Sequence, residues 1–181
     1  SVDVGSPPTV TTGGPYAGDE GSPITLSGSG LDPDGDPLLY SWDLDNDGIF
    51  ETNGAVIANT WADNGVFTVE FRVEDGRGGV AIDSTTVTVN NLPPIAVAGL
   101  DQSGLVGEPI LFDGRGSRDP GVADTLVFEW DFGDGTPVVN GDQTTHSYNT
   151  AGVYTVTLTV MDDDGAAAVG NWGAIEPVKR I

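Results

Sequence analysis

The sequence contains no cysteine, a single histidine and only six lysines and arginines among 181 residues. Without cysteine there is no disulfide, no thiolate nucleophile and no Cys-ligated zinc. With His146 alone there is no histidine set for catalytic zinc, and no Ser–His–Asp arrangement can be argued. Paired carboxylates could serve glycosidic cleavage, but chance pairing among 28 acids makes that signal empty. No enzyme activity is expected. So few cations offer no patch for phosphates, which excludes nucleic acid as a partner. No apolar stretch approaches the ~18 residues of a membrane-spanning helix, and direct membrane insertion is not expected. No leader-like segment opens the chain, as expected of a fragment or a processed protein.

Acid is what the sequence has in excess. Twenty-one aspartates and seven glutamates give a formal net charge of -22. Glutamate favours helices, whereas aspartate favours turns and oxygen-ligand metal sites, so the charge is expected in loops. Uncompensated carboxylates attract divalent cations. Adaptation to high salt is the competing explanation.

The sequence also repeats itself. Ile24-Thr25-Leu26 matches Ile110-Leu111-Phe112, Tyr40-Ser41-Trp42-Asp43 matches Phe128-Glu129-Trp130-Asp131, and Gly65 to Val69 matches Gly152 to Val156. The offsets are 86, 88 and 87 residues, the length of a small domain. Prolines at Asn90-Asn91-Leu92-Pro93-Pro94 stop a strand, which divides the chain into 1–90 and 91–181. In the first copy, strand character falls near 8–12, 23–27, 38–43, 56–60, 66–73 and 79–89, with a minor segment near 49–51. Val66, Thr68, Glu70 and Arg72 alternate with Phe67, Val69, Phe71 and Val73, the period of a half-buried strand. In the second copy Tyr154, Val156, Leu158 and Val160 face inward. Asp-Gly pairs at 34–35, 47–48, 75–76, 134–135 and 164–165 mark turns. Many short strands with such turns favour an all-β fold of two tandem sandwiches. Trp42 and Trp130 read as core anchors, with Trp61 and Tyr148 closing the same cores. Trp172, which has no counterpart, is expected to be partly exposed.

These residues carry a resemblance. Trp130-Asp131-Phe132-Gly133-Asp134-Gly135, then His146-Ser147-Tyr148, then Gly152 to Val160, resembles the polycystic kidney disease (PKD) domain. The first copy is similar, with Asp32-Pro33-Asp34-Gly35-Asp36, Trp42-Asp43, Trp61 and Gly65 to Val73. It departs where Leu44-Asp45-Asn46-Asp47 replaces Phe-Gly-Asp and where no histidine precedes Trp61. The second copy departs in its last strand, where Ala166-Ala167-Ala168-Val169 leads into Gly170. The resemblance implies two immunoglobulin-like β-sandwiches of a larger secreted or cell-surface protein, acting as a spacer or interaction module beside other domains. The partner such a module implies is a protein or a polysaccharide, of an identity the residues do not specify. A carbohydrate-binding accessory of a secreted hydrolase and a homophilic adhesion module are the alternatives.

The resemblance also implies calcium (Ca2+) at each domain entrance. In the second copy the clamp positions fall on Asn91, the Leu92 carbonyl, Asp119 and Asp162. In the first they fall on Asp32 and Asp75, with Gly5 where an asparagine would stand. A third candidate comes from spacing alone. Asp43, Asp45 and Asp47 with Gly48 open like an EF-hand loop, but its twelfth position is Gly54, leaving Glu51 as an added ligand. The alternative at each site is a turn network without metal. His146 is expected to hydrogen-bond a neighbouring turn, and Asp134-Gly135 to form one.

Overall fold

Alternation of apolar and polar residues sets the faces of a long antiparallel ladder in each half of the chain. The computed structural model describes residues 5–178, the backbone alone from 171, and divides into two compact units, Ser1–Asn91 and Leu92–Ile181. The described residues contain no helix.

The first unit runs β1 (Thr9–Thr11), β2 (Tyr16–Asp19), β3 (Pro23–Ser27), β4 (Ser29–Leu31), β5 (Leu39–Asp43), β6 (Thr52–Asn53), β7 (Val56–Thr60), β8 (Gly65–Glu74) and β9 (Val80–Asn90). One sheet has the order β2-β9-β8-β5-β6. Facing it, β1 pairs with β4 and β3 with β7. β3 and β4 are one strand broken at Gly28, where a Cβ would collide with the Phe71 ring. β2 runs parallel to β9, whereas β5, β8 and β9 pair antiparallel.

The second unit repeats the plan with β10 (Ser103–Leu105), β11 (Ile110–Asp113), β12 (Val127–Asp131), β13 (Val139–Asn140), β14 (Gln143–His146), β15 (Tyr154–Met161) and β16 (Ala167–Val178). Its large sheet has the order β10-β16-β15-β12-β13, with β11 paired to β14 opposite. β10 is again parallel to the final strand.

Each core is the buried stripe of these strands. Trp42 and Phe71 are fully buried with ring centroids 4.5 Å apart, and Leu26, Val69, Val73 and Val87 pack around them. The Trp42 Nε1–H donates to the Gly54 carbonyl at 3.0 Å, so its one polar atom is satisfied. In the second unit Trp130 lies 5.7 Å from Phe112 and donates to the Gly141 carbonyl at 2.9 Å. Trp61 and Tyr148 are buried in these cores as the sequence indicated.

The last strand of the second copy, atypical in sequence, is the 12-residue β16, paired with β15 from Met161↔Ala167 onward. Backbone pairing with β10 on one side and β15 on the other needs no large side chain. One reading needs correction. The minor strand expected near 49–51 lies instead at Thr52–Asn53, because residues 44–50 are spent on a turn. Trp172 sits on β16 opposite Val156, but its side chain lies outside the described residues.

Candidate metal centres

At one end of the first unit two aspartates do the same double duty. Asp32 follows β4, and its Oδ1 accepts the N–H groups of Asp34 (2.8 Å) and Asp36 (3.1 Å). Asp75 follows β8, and its Oδ1 accepts from Arg77 (2.7 Å) and Gly79 (2.9 Å). One oxygen of each carboxylate thus builds its turn. The other oxygen, Oδ2 in both, is buried and receives no hydrogen bond. Such an atom costs about 1–3 kcal/mol or more in desolvation when nothing answers it.

Three segments meet around these turns. The Arg77 guanidinium lies 2.9 Å from Asp36 and ties turn 75–79 to turn 32–36. The Ser6 N–H donates to Asp34 Oδ2 at 2.6 Å. A Cβ on Gly79 would collide with Asp75 Oδ2 and stand 3.0 Å from Pro7 Cα. Gly5 lies beside Asp34 and Asp36 and contributes no side-chain ligand.

The second unit builds the matching end with different charges. Asp162 follows β15, is 4% exposed, and its Oδ1 accepts the Ala166 N–H at 2.8 Å, the counterpart of Asp75 and Gly79. Asp119 Oδ1 accepts from Gly121 at 2.9 Å, while its Oδ2 is buried without a donor. The Ile95–Arg118 bridge sets the segment after Leu92 alongside Asp119. The Thr125 N–H to Asp163 Oδ1 bond (2.9 Å) ties loop 119–125 to the turn after Asp162. Asn91 ends the first unit with its Oδ1 buried, and Leu92 begins the second. Where the first unit has Arg77, the 87-residue offset puts Asp164.

The third candidate, residues 43–51, lies at the opposite end of β5. Ligand atoms of Asp43, Asp45, Asp47 and Glu51 all lie within 4.8 Å of one another. Asp43 is fully buried and already engaged, with Oδ1 accepting from Asn46 (2.6 Å) and Asp47 (3.3 Å) and Oδ2 from Gly48 (2.8 Å). Lost hydration, then the charges of Asp47 and Glu51, push the Asp45 carboxyl above its usual range. The corresponding turn of the second unit is met instead by a histidine at the end of β14. His146 Nε2 lies 2.8 Å from Asp134 Oδ2 and its ring stacks on Phe132 at 4.1 Å. Burial raises the Asp134 carboxyl, but bonds from Thr136 and His146 outweigh that and hold it low.

Sequence reasoning placed the aspartates but overlooked Arg77, whose only signal was a cation in Asp75-Gly76-Arg77-Gly78-Gly79 where the other copy is acidic. It also overlooked a hollow beside residues 44–51, lined by Asn59, Trp61 and Phe67, which no local spacing marks.

A sequence profile described as the PKD domain matches residues 5–89 and again 91–171. Collagenase ColA of Clostridium perfringens is 42% identical over 87 residues, which is 48% of this chain and 8% of that protein. A microbial collagenase of Vibrio alginolyticus is 40% identical over 80 residues, 44% of this chain and 10% of that protein. Among solved structures, the PKD1 domain of Vibrio anguillarum Epp is 32% identical, covering 49% of this chain and 100% of that one, with a TM-score of 0.40. The chain therefore spans a tenth or less of the two collagenases.

Proposed function

Because the chain belongs to the PKD domain family, in two consecutive copies, we propose that it is a non-catalytic accessory module of a larger extracellular protein, with calcium at its loop ends. The kinship with short stretches of two collagenases supports the accessory role. It acts by spacing or presenting neighbouring domains, and its own residues do no bond-making chemistry. Among the described tryptophans, Trp42 and Trp130 are fully buried and Trp61 nearly so, and these three form no exposed row, which favours the spacer reading over the carbohydrate-binding alternative.

One observation carries the calcium reading. Asp32, Asp75 and Asp119 each spend one oxygen on a turn and keep the other buried without a donor. Calcium takes six to eight oxygens, carbonyls included, and such leftover carboxylate oxygens suit it. Asn91, Leu92, Asp119 and Asp162 would hold it in the second unit. Asp32 and Asp75 would hold it in the first, where Arg77 already neutralises part of the charge and Gly5 offers no ligand. At residues 43–51 only Asp45, Asp47 and Glu51 would offer exposed oxygens, a poorer cage.

The clamp ligands come from segments distant in sequence and exist as a site only in the folded chain, so binding free energy becomes folding free energy. Calcium at a hundred times its dissociation constant would add about 2.7 kcal/mol of stability. The test is calorimetric melting in calcium and in chelator at matched sodium ionic strength, with Asp119→Asn and Asp75→Asn beside the wild type. Each variant keeps a turn-building oxygen and puts an amide where the spare oxygen was, so each should lose much of the calcium gain. Identical melting in both media, with no heat on calcium titration, would leave the carboxylates as an acidic surface only.

A further inference from the structure

Turn 44–51 and strands β7 and β8 of the first unit enclose an open hollow of about 350 Å³, at the low end of the range for binding pockets. Its lining is Leu44, Asp45, Glu51, Asn59, Trp61 and Phe67. The floor is apolar and aromatic. Trp61 and Phe67 have ring centroids 5.8 Å apart at 33°, and Leu44 is half-buried beside the same core. The rim is anionic. Asp45 and Glu51 are exposed at it, and their ligand oxygens lie within 4.8 Å of each other and of Asp43 and Asp47. Among the described residues, no arginine or histidine forms an ion pair with any of these four.

An anionic rim over an aromatic floor selects among ligands. A bare metal ion uses the carboxylates and gains nothing from the rings. A neutral sugar uses the rings and leaves the charges unanswered. A guanidinium uses both. It is planar, pairs with carboxylates through a fork of N–H donors, stacks on aromatic faces and is more weakly hydrated than an ammonium. Its aliphatic stem can lie along Leu44 and Phe67 while the head stays at the rim, and Asn59 adds an amide that can accept one further N–H.

We propose that this hollow receives an arginine side chain of a partner polypeptide. Charge complementarity argues for such a partner, since a chain of net charge -22 draws basic segments toward it and repels acidic ones. The proposal does not rest on the calcium clamps; the first unit's own, at Asp32 and Asp75, lies at the opposite end of β5 and β8. Calcium would compete for Asp45 and Glu51, so the experiment is run in chelator.

The probe is a short peptide with one arginine between glycines, compared with the same peptide carrying citrulline, which keeps the shape and loses the charge. Binding to the full chain is followed by NMR through the Trp61 indole N–H and the backbone amides of 44–51, 59 and 67. The arginine peptide should shift these signals saturably, and citrulline should bind at least tenfold more weakly. Asp45→Asn/Glu51→Gln should weaken binding at least tenfold. Glu51→Lys, a single exposed change that sets a tethered cation at the rim, should abolish it while the Trp42 and Trp130 signals stay native. Equal binding of citrulline would overturn the proposal. So would shifts spread evenly over acidic turns such as 131–135 and 162–165, or shifts produced by a neutral oligosaccharide and not by the arginine peptide.

Discussion

Trp130 is fully buried against Phe112, and its indole N–H donates to the Gly141 carbonyl, so replacement by phenylalanine and by alanine removes different things. Trp130→Phe keeps a ring in the core but loses part of the filling and strands the carbonyl. A lost hydrogen bond of this kind costs about 0.5–1.5 kcal/mol, and the partly filled space adds about as much again. Trp130→Ala opens the whole site, at about 3–5 kcal/mol for the cavity, with the stranded carbonyl in addition. A unit of about 90 residues holds roughly 5–13 kcal/mol in total. Alanine should therefore consume about a quarter or more of the second unit's stability, and phenylalanine about 2 kcal/mol. For a domain this size each kcal/mol moves the melting temperature by about 4–8 °C. Urea denaturation followed through amide signals of β12 and β15 reports the second unit directly. Equal losses in the two variants, or a Trp130→Ala loss below about 1 kcal/mol, would refute the packing argument.

At Asp113, side-chain hydrogen bonds from Arg115 hold the carboxyl down to about 2. Carbon-13 carboxyl titration should find that low midpoint in the wild type and the ordinary range near 4 in Arg115→Ala. Because the folded value is depressed, whatever stability the pair contributes is present above the ordinary carboxylate range and fades as pH falls toward 2; an unchanged midpoint would dismiss the pairing. Arg77→Gln removes the cation paired to Asp36, a contact between loops that is half in solvent and worth at most about 1 kcal/mol. Titration calorimetry should then show calcium binding to the first unit tightened up to about fivefold, and weaker binding would mean that Arg77 assembles the site instead of competing for it.

Much of the fold was legible because single residues carried long-range information. Trp42 and Trp130 fixed the two cores, and the strict alternation from Val66 to Val73 and from Tyr154 to Val160 fixed which faces they close. β2 and β4 were not legible. Tyr16-Ala17-Gly18-Asp19 and Ser29-Gly30-Leu31 are short, glycine-bearing edge segments whose order comes from Asn90 and Thr9 far along the chain. β16 was legible only as an atypical strand, since alanine and glycine say little about a strand whose partner already supplies the ladder. At the candidate clamps the sequence identified Asp32, Asp75, Asp119 and Asp162 by resemblance. It could not show that one oxygen of Asp32, Asp75 and Asp119 organises a turn and the other does not. That division depends on where the backbone N–H groups point. The hollow under Asp45 and Glu51 needs Asn59 and Phe67 brought from two other strands, so no window of sequence contains it.

The parallel pairing of β2 with β9, and of β10 with β16, acquires a meaning when the chain is pulled from its ends. Tension enters a unit near its first strands and leaves along its last, so two parallel neighbours are drawn in opposite directions along their own length. The hydrogen bonds from Tyr16↔Val87 to Asp19↔Asn90 then bear the load side by side, and none can fail before its neighbours are strained. An antiparallel hairpin pulled open at its free ends would instead lose its bonds one at a time. The short strand β1 would peel from β4 first, letting out a little slack before the load reaches β2. A module placed between a tethered body and a moving one is thereby made to hold its length under tension and to yield abruptly.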